Sequence, residues 1–277
     1  MLAKRLIVLV TVAGVAAVAC HSGGAKTSLG SIELAADRTT KAGTSRIAIT
    51  ARVTGGGISS GPITETGTGV ADYERNVASL QLTISGAGAG PQAIEFRIID
   101  RILYEKPPAG SIPASKPWIK VDLSGLAGAR GEGSSGPAAF TGNPAQTLQY
   151  LKGASNSVTD AGEDTIRGTK TKHYRLTVDL RKAAERMPAQ QRVTFLQALK
   201  YFGSTTLPMD VWVDDQGRVR RMSLSMEMNL GTQGTAKIEE TVDLFDFGVP
   251  VKVSPPPPSE ITEIGTLTQP ASPSPTG

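Results

Sequence analysis

Apolar and polar residues alternate one by one over long stretches of this chain. The pattern is clearest over residues 222–230, where Met and Leu alternate with Ser, Glu and Asn. Successive side chains of a strand point to opposite faces of a sheet, so the pattern predicts strands with one buried and one wetted face. Parallel strands would read as unbroken apolar runs, so an antiparallel sheet is favoured. Five further segments alternate in the same way: residues 47–53, 80–84, 94–98, 119–123 and 174–180.

Turn and helix signals divide these strands. Residues 214–217 place Asp first and Gly fourth in a type I turn, and residues 231–234 form the next connection, which predicts a three-strand meander over residues 209–244. Three helices are predicted, at residues 29–41, 143–152 and 188–202. The second begins with Asn143 as its cap and Pro144 in its first turn. The third places Phe195, Leu199 and Phe202 on one stripe. The Gly-rich segments 55–61 and 125–142 are typical of long loops.

These elements predict an α+β fold built on a single, strongly curved antiparallel β-sheet, with about ten or eleven strands and few helices. A sheet wetted on one side must cover its other face. Because the predicted helices are few and scattered, we expect the sheet to wrap around them. Such an arrangement leaves room for a cavity between sheet and helices, and function is expected there.

The N-terminus has the three parts of a secretory signal. Lys4 and Arg5 precede an apolar run over residues 6–18, and Ala19-Cys20 follows. The run is shorter than the roughly 20 residues that a spanning helix needs. Cys20 is the one Cys of the chain and resembles the cysteine of a bacterial lipobox, although Ala17 stands where Leu is usual. The alternative is an ordinary cleaved signal with an unmodified Cys.

The lipobox resemblance implies a signal peptide over residues 1–19 and a diacylated Cys20 followed by a spacer to residue 28. Two acyl chains hold a protein stably on a bilayer, whereas one is marginal. The prediction is therefore an exported chain, lipid-anchored to the cell membrane at the outer face of the cytoplasmic membrane.

The amino-acid composition excludes several classes of function. The chain has 29 Lys and Arg against 25 Asp and Glu, and its net charge falls from +4 to +2 without Lys4 and Arg5. The densest basic run, Arg218, Arg220 and Arg221, lacks interleaved aromatic residues and indicates a solvated strand face rather than a nucleic-acid site. One Cys and two His exclude a disulfide framework and a thiolate zinc site. We therefore predict no metal and no cofactor.

Catalytic patterns are weak. Residues 57–61 match G-x-S-x-G, but that motif needs a strand-to-helix elbow, and here it lies in a Gly-rich loop. Residues 131–136 match G-x-G-x-x-G without the βαβ unit that a dinucleotide requires. His173 is expected to be an exposed residue on a polar strand face, and the turn accounts for Asp214 and Asp215. The chain is predicted not to be an enzyme.

Three segments, in order, resemble the LppX/LprG lipoproteins of actinobacteria. Residues 163–174 (EDTIRGTKTKHY) are similar to their G-x-x-T-x-H-Y segment. Residues 208–221 (PMDVWVDDQGRVRR) resemble their P-x-x-V-W-V-D-x-x-G-L-V-R-R hairpin, and residues 246–256 (DFGVPVKVSPP) their D-F-G-x-P-V-x-V-x-x-P. Residues 118–122 and Asn143-Pro144 with Leu148 fall in the expected order. The resemblance covers residues 29–260, and longer Gly-rich loops and a Pro-rich tail depart from it.

This resemblance implies a half-barrel of the LolA/LolB type, with helices on its concave face and an apolar pocket for acyl chains. It implies a lipid-binding domain over residues 29–254. The Pro-rich composition of residues 255–277, which depart from the resemblance, predicts a flexible tail. The implied partner is an acylated lipid or glycolipid, carried by a monomer for envelope lipid transport. The alternative is a sensor or assembly adaptor of the same fold, which binds an envelope transporter or other envelope protein.

Strand phase and the helical stripe select the residues expected to line the cavity. Three Met residues on one strand face suit an irregular apolar ligand, because Met is soft and adaptable. The simpler interpretation of each Met is an ordinary core residue. The cavity candidates are Leu82, Ile84, Phe96, Phe195, Leu199, Phe202, Met222, Leu224, Met226 and Met228.

Overall fold

A computed structural model describes residues 29–57, 61–86, 88–100, 102–122, 155–185, 202–229 and 231–263, together with positions 189, 192, 193, 196 and 199. Two helices precede or interrupt the strands: α1 (Leu29–Lys41) and α2 (Leu180–Glu185). The strands are β1 (Thr44–Gly55), β2 (Ile63–Asp72), β3 (Val77–Gly86), β4 (Ala89–Ile99), β5 (Ile102–Lys106), β6 (Trp118–Asp122), β7 (Ser155–Ile166), β8 (Thr169–Asp179), β9 (Thr206–Asp214), β10 (Val219–Asn229), β11 (Thr235–Phe245) and β12 (Ile261–Glu263).

All twelve strands belong to one open sheet, in the order β12-β6-β5-β4-β3-β2-β1-β11-β10-β9-β8-β7. Neighbours are antiparallel except β12, which pairs parallel with β6. The single antiparallel sheet predicted from the alternation is confirmed, with twelve strands rather than ten or eleven. Strand β1 lies near the centre of the sheet. It pairs with β2 on one side and with β11, which is distant in the chain, on the other.

The register aligns the apolar positions of successive strands on one face. Ile47 lies opposite Leu244 of β11, and Ile49 lies opposite Val242. Both Ile residues are buried. We call this side of the sheet the apolar face, and the opposite side, which carries Thr, Ser and charged residues, the polar face.

Helix α1 packs on the apolar face, as its sequence dictates. Ile32, Ala35, Ala36 and Thr39 repeat at helical spacing and are all buried. The Thr39 hydroxyl donates to the Ala35 carbonyl at 2.7 Å and accepts a hydrogen bond from the Val219 amide at 2.8 Å. The register of β10 shifts beside Val219, and Thr39 there ties the helix to the sheet.

Alternation did not predict every strand. Strand β2 lacks a clear apolar period because Gly67 and Gly69 occupy two of its positions on the apolar face. A Cβ on Gly67 would collide with the Leu82 side chain, and one on Gly69 would collide with the Ser79 carbonyl oxygen and crowd the Leu80 side chain. The β3 leucines therefore pack over bare β2 backbone, and the sheet is continuous where the sequence pattern lapses. Strands β5 and β7 were likewise not predicted.

The predicted helix at residues 29–41 coincides with α1, and both predicted turns of the meander are confirmed. The Gly217 amide donates to the Asp214 carbonyl at 2.8 Å, and Gly217 has the positive φ of +74° that favours glycine. Leu180 is a correction, because it begins α2 instead of ending a strand. The predicted helix at 143–152 and loop at 125–142 lie outside the described residues, as does most of 188–202.

The start of the predicted exposed tail is a second correction. Residues 249–263 cross the sheet, with the Val251 carbonyl accepting from Arg75 and the Ser254 carbonyl accepting from Arg97. Strand β12 then pairs with β6, and the buried Thr262 donates to the Lys116 carbonyl. Strand β12 covers the free edge of β6, whose backbone N–H and C=O groups would otherwise have no partner strand.

Candidate functional site

The register brings the strand-borne cavity candidates onto the apolar face. One row of opposed residues runs from Leu82 through Gly67, Ile49 and Val242 to Met222. The next row runs from Ile84 through Glu65, Ala51 and Glu240 to Leu224. Phe96 lies opposite Leu80 on the same face. The strand phase read from the sequence is therefore correct for these residues, and their role toward a ligand stays a prediction.

Burial separates the candidates into groups. Those buried in the central hydrophobic core are Leu82, Leu199, Met222, Leu224 and Met226. Those partly buried against that core are Phe96, Phe202 and Met228, and the backbones of the last two form an isolated β-bridge. Ile84 is half-buried on the same face. Phe195 lies outside the described residues, as do Cys20 and the predicted signal and spacer.

A small cavity of about 300 Å³ adjoins this group at the end of β10. Phe202 and Met226 line it together with Leu180 and Leu207. Two of the cavity candidates, from different segments of the chain, therefore border this small cavity, and their role toward a lipid stays a prediction. The cavity is smaller than a site for long acyl chains requires.

Carboxyl groups on the apolar face were missed by the sequence analysis. Glu240 is 4% exposed, and its burial, followed by the charge of Glu65, raises its pKa to about 7. Burial also raises the pKa of Glu65 and that of Glu105. A signal existed, because Glu240 occupies an inward position in the alternation of Ile238, Val242 and Leu244.

The polar face carries ion pairs rather than freely solvated charges. Asp243 accepts from Arg221 at 2.6 Å and from Arg167 at 2.8 Å. Although burial opposes the effect, these hydrogen bonds hold the pKa of Asp243 below its usual value. Arg218 pairs with Asp214 at 2.9 Å. The basic run at 218–221 is therefore neutralised locally and not a solvated face, which corrects that interpretation.

His173 lies on the polar face as predicted, but it is not exposed. Its side chain is 15% accessible, stacks on Trp212 with ring centroids 4.3 Å apart, and forms a hydrogen bond with Asp210. Within the described part of the chain, no three His, Cys, Asp or Glu residues are grouped to hold a metal ion. Stacking on Trp212 and the hydrogen bond with Asp210 therefore account for the position of the His173 imidazole on the polar face.

A larger cavity lies on the polar face, where the prediction did not place it. Its volume is about 930 Å³. Strands β1 to β4 form its floor, which includes Thr50, Thr66 and Thr83, and the connection between β5 and β6 forms a wall. Alanine residues of the floor and Pro108 and Ile112 of the wall make the lining more apolar than polar. A mostly apolar lining with a few polar groups is usual for ligand sites.

The two catalytic patterns gain no support from the structure. Gly57 and Gly61 lie in the connection between the antiparallel strands β1 and β2, which provides no strand-to-helix elbow. Residues 58–60 and 131–136 are outside the described ranges. No helix in the described ranges is long and apolar enough to cross a membrane.

The described part of the chain is an open, mostly antiparallel twelve-stranded sheet with two helices and one apolar face. In sequence and in structure, this chain resembles the LppX/LprG lipoproteins. Two solved structures matched are lipoprotein LppX of Mycobacterium tuberculosis, with 15% identity, a TM-score of 0.43 and coverage of 82% of this chain and 100% of that one, and LprF of Mycobacterium bovis, with 16% identity, a TM-score of 0.41 and coverage of 84% and 99%. A LolA superfamily protein of Nitrosomonas europaea matches at 13% identity and a TM-score of 0.30, covering 80% and 95%.

Sequence comparison adds one curated relative. An uncharacterised 31.2 kDa protein of Streptomyces griseus is 29% identical over 154 residues, which are 53% of this chain and 48% of that protein. The chain thus spans about half the length of the curated relative it matches. No protein-family profile matches the chain.

Proposed function

We propose that this protein is a lipid-binding lipoprotein that holds the acyl chains of a lipid or glycolipid against the apolar face of its sheet. Diacylated Cys20 would anchor it at the outer face of the cytoplasmic membrane, and the ligand would be carried through the envelope. In this proposal the sheet is curved and its helices lie on the concave side, as in the LolA type. The role is binding and transfer, without catalysis.

One observation carries the proposal. The register places Leu82, Met222, Leu224 and Met226 on one face, although they come from strands far apart in the chain. Such a face is wide enough to meet a flexible apolar ligand along its length. The Met residues adapt to irregular partners at little cost. The resemblance of the three sequence segments to the LppX/LprG lipoproteins supports the same interpretation.

Apolar burial keeps the acyl chains of a bound lipid out of water. Each methylene of an acyl chain that leaves water contributes about 0.8 kcal/mol. Transfer from a bilayer into the protein exchanges one apolar environment for another, so the net free energy is small and uptake is reversible. A carrier requires this balance, because it must both load and release its ligand.

Native mass spectrometry of the chain carrying Cys20→Ser tests the proposal, since no acyl anchor then adds to the mass. A co-purified diacyl or triacyl species near one-to-one, identified after organic extraction, is the expected result. Met226→Trp should abolish the bound mass while the fold survives, and Met187→Trp, in a different segment, provides a comparison substitution of equal size. A mass that stays ligand-free after incubation with envelope lipid extract would refute lipid carriage.

The polar-face cavity favours a second candidate, an adaptor that binds another envelope protein. Its volume of about 930 Å³ and its lining of threonine, alanine and proline residues suit a polypeptide segment of a partner, which carries both polar and apolar groups. In that case the apolar face is a filled core, and Met226→Trp would cost about 1–3 kcal/mol of stability by overpacking. Thr66→Tyr on the polar face should then weaken partner binding, whereas it should leave lipid binding unchanged if the first proposal holds.

A further inference from the structure

Glu240 interrupts the apolar face at its centre. It lies on β11 opposite Leu224 of β10 on one side and Ala51 of β1 on the other. Its neighbours along the strand on the same face are Ile238 and Val242, both buried. Four apolar residues therefore surround a carboxyl group that is only 4% exposed.

No described group donates a hydrogen bond to the Oε2 atom of Glu240, which is fully buried. A buried polar atom without a partner costs free energy that an apolar residue of similar size would avoid. A leucine or methionine at this position would satisfy the surrounding packing. Packing alone therefore does not explain why position 240 carries a carboxyl group.

Glu65 stands in the same row, on the far side of Ala51. Two interstrand spacings separate the backbones of the two glutamates by about 10 Å. The small Ala51 side chain is the only one between them in this row. Glu65 is half-buried while Glu240 is buried, so the pair joins a partly accessible position of the apolar face to a buried one.

The charge that acts on Glu240, among the described residues, is that of Glu65, which is of the same sign. The two glutamates therefore repel each other when both are charged, instead of forming an ion pair. Burial and mutual repulsion both favour a proton on one of the two groups. One of the two groups is then a carboxylate that accepts and the other a carboxylic acid that donates, and both lie in the same row of the apolar face.

We propose that Glu240 and Glu65 bind a hydroxyl group of the lipid held on the apolar face. This inference rests on the proposed lipid-binding function and specifies its ligand as a hydroxyl-bearing acyl lipid. A hydroxyl can donate to a carboxylate and accept from a carboxylic acid, so it suits either protonation state. An ammonium group would need the charged carboxylate, which burial disfavours.

Paired lipid probes test the inference. 1-Oleoylglycerol and its di-O-methyl ether share one acyl chain and differ in their hydroxyl hydrogens. The full chain with Cys20→Ser is incubated with an equal mixture, and native mass spectrometry gives the ratio bound. We expect a preference of about tenfold for the free diol, the order of one hydrogen bond to an ionisable group.

Three variants test whether Glu240 and Glu65 cause the preference for the free diol. Glu240→Met and Glu65→Met should each bring the ratio close to one while total lipid bound is retained, because methionine keeps the volume and removes the acceptor. Glu239→Met is the matched control, since Glu239 is exposed and pairs with Lys237. Its ratio should equal that of the unmodified chain. Two independent variants keep the test decisive if one of them folds poorly.

The outcomes separate the two proposals. Equal binding of both probes by the unmodified chain, or a preference that survives in both Glu variants, would overturn the hydroxyl site and leave lipid binding standing. Binding of neither probe, together with a mass that stays ligand-free after incubation with envelope lipid extract, would refute lipid binding and this inference together, whereas binding of the extract lipids alone would overturn this inference only.

Discussion

Glu240 should make the stability of the fold depend on pH in a direction opposite to that of ordinary paired carboxylates. Its pKa is raised from 4.5 to about 7 by burial and by the charge of Glu65. A preference of this size for the protonated form corresponds to about 3 kcal/mol. The free energy of unfolding that Glu240 contributes is therefore fully present below pH 4.5 and is lost as the pH rises through 7.

Urea unfolding of the unmodified chain and of Glu240→Met between pH 4 and 8 measures this contribution. Tryptophan fluorescence can follow the transition, because Trp118 and Trp212 both lie in the sheet. The variant should gain stability relative to the unmodified chain by about 3 kcal/mol across this interval. Asp243 and Asp72, whose pKa values are lowered by arginine contacts, lose their contributions at lower pH in both proteins.

The control is Glu239→Met, which removes an exposed carboxyl group from the same strand. Its pH profile should follow that of the unmodified chain closely, because exposed ion pairs contribute little. A difference between Glu240→Met and the unmodified chain that stays constant from pH 4 to 8 would refute the reasoning. So would a difference that shrinks as the pH rises.

Three further predictions concern the fold and the apolar face. Thr39→Val keeps the shape of the side chain but leaves the Val219 amide without its acceptor, and should cost about 1–3 kcal/mol in chemical denaturation; an unchanged midpoint would contradict the described tie between α1 and β10. Gly67→Ala should cost about 1–3 kcal/mol because its Cβ would meet the Leu82 side chain, whereas Gly90→Ala, with open space around it, should cost much less. Met226→Trp should remove lipid uptake with little loss of melting temperature if the apolar face holds a ligand, and should lower that temperature markedly if the face is a filled core.

Several features followed from the sequence with a stated reason. The helix predicted at residues 29–41 matches α1, in which helical spacing places Ile32, Ala35, Ala36 and Thr39 on one side. The turn at Asp214 was predicted from its Asp and Gly positions, and the strand phase of residues 222–230 from strict alternation. Each of these signals is local, so a short segment contains all of it.

Other features were missed for equally definite reasons. Strand β2 shows no apolar alternation because the side chains that cover its Gly67 and Gly69 belong to β3. Strand β12 is short and follows a Pro-rich segment, so only its pairing with β6 identifies it. His173 was expected to be exposed because its alternation places it on the wetted face, and the neighbouring Trp212 covers it there.

For the strands that alternate, the sequence by itself determined the face on which each residue lies and the antiparallel character of the sheet, because side-chain alternation and turn chemistry depend on neighbours along the chain. Only the tertiary structure decided which strands are adjacent. Any two amphipathic strands can pair, so the pairing of β1 with the distant β11 depends on contacts across the whole sheet. That pairing places Glu240 and Glu65 in one row around Ala51, and with them the chemistry of the candidate site.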